Sequence, residues 1–292
     1  MEICKHTGAD YEYDYHQLYG VPENVLEQFC KSLRSRFRIQ SAIPESREEW
    51  IARSDIAVKY LLATSVMLTS AEYVSEHNVR MAEPYLLYYG LFNTSRALFL
   101  MIPEHPWKDG QILKEVTHTK IQNVITDLLR RVSQPVSEQY LKISRRALAT
   151  REALSYSFPA QGLKGALSSI AVDLQETVDI CQFIAEVAQA SSECLEAEFS
   201  KLPEIDWSDH SEALSKFYFY ELRTLDEQLI DDEDYYRLGQ FIRHSSKPWS
   251  LHKTGREGLV EDFFGAWFSE TQEQNPDAYN PDDNWRIIFD FQ

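Results

Sequence analysis

The stretch YYGLFNTSRALFLM, residues 88–101, decides how this chain is read. It lies in the most apolar run of the sequence, Tyr85 to Ile102, yet it carries Asn93, Thr94, Ser95 and Arg96 at its middle. At 100° per residue, Tyr85, Tyr89, Phe92, Arg96 and Phe99 fall within about an 80° arc of a helix. Arg96 therefore shares the aromatic face. A guanidinium buried there alone costs several kcal/mol, so the sequence asks for a carboxylate, a carbonyl, an aromatic ring or a bound anion beside it. The same polar interruption denies the run the length of a clean membrane span, and the expectation is a core helix.

Working outward, the breakers fall between helical patterns. Pro84 suits a first turn, Pro103, Pro106 and Gly110 make a loop, and Pro135 opens another helix. Helical spacing is predicted over residues 45–75, 83–102, 119–132 and 136–158, and four consecutive helices with short to moderate links argue for an antiparallel bundle. A long helix is predicted from about Ala166 to Phe199, another from about Ser211 to His244, and a shorter one from Gly258 to Ser269. Ahead of the bundle, residues 22–37 read as a helix. YEYDYHQLYG, residues 11–20, alternates as an edge strand or a docking arm would, and NWRIIFDFQ, residues 284–292, alternates as a strand would. The fold class is all-α, with short terminal strands as the only β expected. Three regions follow: an arm and helix over 1–44, the bundle over 45–199, and an acidic helical extension over 200–292 packed on it.

Charge is uneven. The net charge is -17, with 19 basic and 19 acidic residues in 1–160 but 10 basic and 27 acidic in 161–292. Within the balanced part, residues 114–151 carry Lys114, Lys120, Arg130, Arg131, Lys142, Arg145, Arg146 and Arg151 against three acids. Such a patch suits phosphate on a protein that overall repels nucleic acid, and it suits a solvated helix surface equally. The acidic C-terminal part suits a basic protein partner. Cys4, Cys30, Cys181 and Cys194 form no CxxC pair and no zinc spacing, and no secretory h-region stands at the start, so a reducing cytoplasmic setting is expected, without metal or cofactor. The acids Asp231, Asp232, Glu233 and Asp234 lack the glycine and closing glutamate of a calcium loop. GxGxxG, P-loop, HExxH and GxSxG motifs are missing from the sequence.

YYGLFNTSRALFL resembles the helix of HEPN-domain proteins whose common pattern reads YYAMFHAARALL. Tyr88, Tyr89, Phe92, Arg96, Ala97 and Leu98 match, and Asn93 stands where the family often has histidine. THTKIQNVITDLL resembles the next family helix, with Thr117, His118 and Lys120 at its Ser-His-Lys-like opening. REALSYSF resembles the last core helix, which carries Arg-x-x-x-x-Tyr or, in ribonuclease members, Arg-Asn-x-x-x-His-x-Tyr. The PYLLYYGLF form is also similar to the YaaC-like branch of that superfamily. Together the three elements span roughly residues 46–198.

The resemblance implies an up-and-down four-helix core, commonly a homodimer, and a setting in toxin–antitoxin or antiviral defence systems. If the chain is an enzyme, it implies a metal-independent endoribonuclease in which arginine holds the phosphate and histidine moves the proton. Here Arg151 takes the arginine position, but Glu152 replaces the asparagine, Tyr156 the histidine and Phe158 the trailing tyrosine. A tyrosine, with an ordinary pKa near ~10, moves protons poorly at pH 7. His118, at the start of a neighbouring helix, is the alternative imidazole. The candidate catalytic set is therefore Arg151, Tyr156 and His118, and the candidate RNA or nucleotide ligands are Asn93, Arg96, Arg145 and Arg146. Arg237 and His244 form a second arginine–histidine pair, at a spacing that chance supplies in a chain of this composition. A non-catalytic interaction module is the competing expectation.

Overall fold

The computed structural model describes residues 3–43, 46–107, 117–162, 164, 168–203, 247–255, 257–267 and 278–290. Among them the regular structure is helical and no strand occurs. The longer helices are α2 (Glu23–Ser41), α3 (Ser46–Glu76), α4 (Glu83–Leu100), α5 (His118–Val132), α6 (Gln134–Glu152) and α7 (Leu174–Phe199). Short helices complete the set: α1 (Cys4–Thr7), α8 (Leu251–Thr254) and α9 (Glu257–Gly265). Their ends carry the expected chemistry. Thr117 accepts from the Lys120 N–H at the start of α5, Asp173 accepts from the Glu176 N–H at the start of α7, and Pro84 occupies the first turn of α4.

The hairpin of α3 and α4 is the tightest pairing. Thr94 Oγ1 donates to Thr64 Oγ1 (3.0 Å), and Thr64 Oγ1 also reaches the Gly90 carbonyl (3.2 Å). Further along, Arg53 of α3 reaches the carbonyls that follow α4, so the two helices run in opposite senses. Gly90 makes the close approach possible: a Cβ there would lie 3.0 Å from Leu68 Cδ2 and 3.2 Å from Leu68 Cγ. Gly90→Val is expected to lower stability by about 1–3 kcal/mol through overpacking, read as a fall in the urea midpoint; an unchanged midpoint would mean the helices part freely.

Helix α7 packs against α1, α2, α3, α4, α6 and α8. Ser191 Oγ donates to the Met101 carbonyl (2.5 Å), placing α7 alongside α4. Three carboxylates along α7 hold the N-terminal elements. Glu186 accepts the backbone N–H groups of His16, Gln17 and Leu18 at 2.8–2.9 Å. Glu193 accepts from Thr7 Oγ1 (2.7 Å) and Gln189 Nε2 (3.0 Å). Glu198 pairs with Arg34 (3.0 Å), Arg38 (3.1 Å) and Lys201 (2.7 Å). Burial pushes the Glu198 carboxyl up, but the hydrogen bonds from Arg38, Lys201 and Arg34 outweigh it and hold its pKa down to about 2.

The N-terminal tyrosines form a docking arm and not an edge strand. Tyr13 and Tyr15 are buried while Glu12 and Asp14 are exposed, so the two-residue alternation is real. The arm's partners, however, are side chains of α7, the helix at Leu251–Thr254 and the segment around Phe289. The strand expected over residues 284–292 is not formed in its described part. A 3₁₀ turn spans Pro281–Asn284, and Ile288 and Phe289 are both buried although adjacent, which an alternating strand does not permit. The long helix begins at Leu174, later than expected, because Asp173 caps it. No described helix is long and apolar enough to cross a membrane. The expected helix over 211–244 lies outside the described residues, as do most of the acidic part and Asp231 to Asp234.

Candidate functional site

Tyr85, Tyr89, Phe92, Asn93 and Arg96 of α4 are half-buried, while Leu87, Tyr88, Leu91, Thr94 and Ser95 point into the core. The aromatic arc read from the sequence is thus a half-open face and not a buried one, which corrects the expectation of a buried Arg96. Its guanidinium carbon lies 4.1 Å from the centre of the Tyr60 ring on α3 and 5.8 Å from that of Phe92. An aromatic ring is thus one of the partners that the sequence asked for.

Two further helices deliver polar groups to the same face. The first residue of α5, His118, stacks its ring on Phe92 (centroids 4.0 Å apart), and its Nδ1 hydrogen bonds with the Tyr88 hydroxyl. From the last turn of α6, Arg151 donates to the Tyr89 hydroxyl (3.3 Å), and its guanidinium carbon lies 5.6 Å from the Tyr88 ring and 6.0 Å from the Tyr156 ring. Arg151 Nε is buried without a hydrogen-bond partner. Beyond it, α6 ends in a π-helical turn, Ala153–Ser157, in which Ser155 Oγ donates to the Tyr85 hydroxyl (3.2 Å). Tyr156 is 78% exposed, so its hydroxyl meets water.

The electrostatics of this face favour a neutral imidazole. Burial lowers the His118 pKa below its ordinary 6.5, and the positive fields of Arg151 and Arg96 lower it further. Burial also pushes the Tyr88 phenol up to about 12, against the pull of Arg151, so Tyr88 keeps its proton at neutral pH. If the phenol donates to Nδ1, the ring proton sits on Nε2; if Nδ1–H donates to the phenol oxygen, Nε2 is free to accept. Behind the imidazole lies a cavity of about 30 Å³ lined by Tyr88, Phe92, Ser95, Gln122 and Tyr140, with room for a water molecule.

Arg96, His118, Arg151 and Tyr156 are therefore neighbours, drawn from three helices. The other candidates stand apart. Arg145 is exposed on α6, and no contact ties it to this face. Arg146 is engaged elsewhere, donating to the Ala171 carbonyl and lying 3.9 Å from Glu176. Asn93 is half-buried beside Phe92 in the chain. Arg237 and His244 lie outside the described residues. Three contributors were missed in the sequence: Tyr60 as a platform for Arg96, the Tyr88 hydroxyl as the partner of His118, and Tyr85 as the partner of Ser155. The spacing of Tyr85, Tyr88, Tyr89 and Phe92 was the available signal. Among the described residues, no group of three or more His, Cys, Asp or Glu side chains is placed to hold a metal ion. No family model, curated protein or solved structure matches the chain.

Proposed function

We propose that the face built by Arg96, His118 and Arg151 binds the phosphates of RNA or of a nucleotide, in a cytoplasmic HEPN-like protein of bacterial defence or stress response that works as a homodimer. The observation that carries this is the convergence of two guanidiniums and an imidazole, from helices far apart in sequence, on a half-open aromatic surface. Guanidinium groups offer phosphate a fork of donors, and tyrosine and phenylalanine rings offer bases a stacking surface. With a net charge of -17, the molecule as a whole repels a polyanion, so binding depends on this local patch and weakens with salt.

Ribonuclease chemistry follows from the same groups only through His118. A neutral imidazole anchored by Tyr88 and flanked by two arginines has the means to take a proton from a ribose 2′-hydroxyl while the arginines hold the phosphate. Tyr156 stands where the resembling enzymes carry histidine and has no such part. Binding of a labelled RNA oligonucleotide, followed by fluorescence anisotropy, is expected to weaken roughly 10- to 100-fold in Arg151→Ala and in Arg96→Ala, the loss of a charge-assisted contact. The salt slope should fall by about one for each contact removed. Unchanged affinity in both variants, with thermal melts like the wild type, would overturn the reading. If the RNA is also cut, His118→Gln should abolish cutting while weakening binding less than either arginine variant does.

A further inference from the structure

Next to the arginine face lies a cavity of about 350 Å³, lined among others by Arg80, Met81, Leu154, Phe158, Pro159 and Lys164. Its size falls within the roughly 300–1,000 Å³ of small-molecule pockets. The wall is mostly apolar, and among the described residues its charged members are Arg80 and Lys164, with no carboxylate. Glu83 feels the charge of Arg80 but lines a separate small cavity with Pro84 and Leu87.

Phe158 is the unusual member. It is 67% exposed and holds a left-handed backbone, φ +38°, that side chains other than glycine rarely adopt. Such a conformation costs about 1–3 kcal/mol and persists where the surroundings enforce it. Here the enforcing bond runs from the Phe158 N–H to the Ala153 carbonyl (2.9 Å) and closes the π-helical turn. The wider turn divides its side chains between two surfaces. Ser155 and Tyr156 face Tyr85 and Arg151, whereas Leu154 and Phe158 line the cavity. One five-residue turn thus joins the arginine face to an apolar, positively rimmed hollow, and turns of this kind recur at functional sites.

We infer that the cavity receives a base of single-stranded RNA, stacked on Phe158, while Arg151 holds one phosphate of the strand and Arg80 and Lys164 its neighbour. This rests on the phosphate-binding reading given above and specifies its substrate: an unpaired oligonucleotide. Two features favour that occupant. An exposed aromatic ring beside two cations is the arrangement that takes a base with its flanking phosphate, and only an unpaired strand presents its bases for insertion.

The test uses the full chain and two probes. Labelled hexauridylate, followed by anisotropy, reports base and phosphate contacts together, and inorganic phosphate, followed by phosphorus NMR line broadening, reports the cationic phosphate contacts without a base. Phe158→Ala is expected to weaken hexauridylate binding roughly tenfold, the loss of one stacked base, and to leave phosphate binding unchanged. Phe158→Trp should retain the affinity. The double variant Arg80→Ala/Lys164→Ala should weaken hexauridylate and lower its salt slope by up to two. Arg151→Ala should weaken both probes. Phe158 is exposed, so its variants should melt like the wild type. If Phe158→Ala and the double variant bind hexauridylate as the wild type does while Arg151→Ala does not, the base pocket is refuted and the phosphate face stands. If wild-type protein binds neither probe, both readings fall. Equal binding of a duplex, or preferential binding of octanoate, would also overturn the inference.

Discussion

Replacing Arg53 with leucine is expected to destabilise the fold by about 3–5 kcal/mol. This arginine is fully buried in α3, where no water can compensate its charge. Its guanidinium takes over the C-terminal end of α4, donating to the carbonyls of Leu100 (3.4 Å), Ile102 (3.3 Å) and His105. It also pairs with Glu49 (3.0 Å), and its carbon lies 4.3 Å from the centre of the Trp50 ring. Burial lowers its pKa to about 10, with Glu49 pulling the other way, so it is charged throughout the physiological range. Leucine would keep much of the stem packing but remove the donor from the carbonyls of Leu100, Ile102 and His105. Lysine would keep the charge and lose the planar fork, and an intermediate loss is expected. Denaturant titration decides: a leucine variant within 1 kcal/mol of the wild type would show that Arg53 is not the cap of α4.

Glu193 gives the second large effect, with an unusual sign. It is fully buried on α7. Burial pushes its carboxyl up to about 7, even though Thr7 and Gln189 donate to it. In the unfolded chain it titrates near the ordinary 4.5. Between those values the native state binds more protons than the unfolded one, so stability falls as pH rises. The contribution is complete below pH 4.5 and lost as pH climbs through 7, a change of about 3 kcal/mol. Glu198 acts oppositely: its contribution is present above pH 4.5 and lost as pH falls towards 2. Glu193→Gln should therefore leave stability nearly unchanged at pH 5 and raise it by about 3 kcal/mol at pH 8. The same difference between variant and wild type at both pH values would mean that the carboxyl does not titrate in this window.

Some of the arrangement was readable from the residues. Helical spacing located α3 to α6 to within several residues; α5 carries a clear apolar stripe, whereas α3 is buried on nearly all sides and was read from its length and apolar content. The arc holding Tyr85, Tyr89, Phe92 and Arg96 was visible too, but not its depth: a wheel gives direction, and only the neighbouring helices decide how much water reaches it. His118 and Arg151 reach that face because α5 begins and α6 ends beside α4, a fact of three-dimensional packing that neither segment contains alone. The turn at Ala153–Ser157 escaped for another reason. A single added residue breaks the 3.6-residue period for one turn only, and a left-handed Phe158 contradicts the preference for glycine at such positions. The terminal segments misled in opposite ways. Tyr13 and Tyr15 alternate and are buried, yet no strand pairs with them, and Tyr13 packs on His252 and Phe289; Ile288 and Phe289 sit in an alternating sequence, yet both are buried.

The carboxylates along α7 also set a timetable for folding. Thr7 and Glu193 are 186 positions apart, His16 and Glu186 170, and Arg34 and Glu198 164. At about 5–20 residues per second, the ribosome releases the arm roughly ten to forty seconds before the helix that receives it. During that interval Tyr11, Tyr13 and Tyr15 have no α7 to cover, and the long loop that must close carries an entropic cost. The arm's contacts with α7 therefore cannot form until that helix has been made, whereas the α3–α4 hairpin has its whole sequence available well before then.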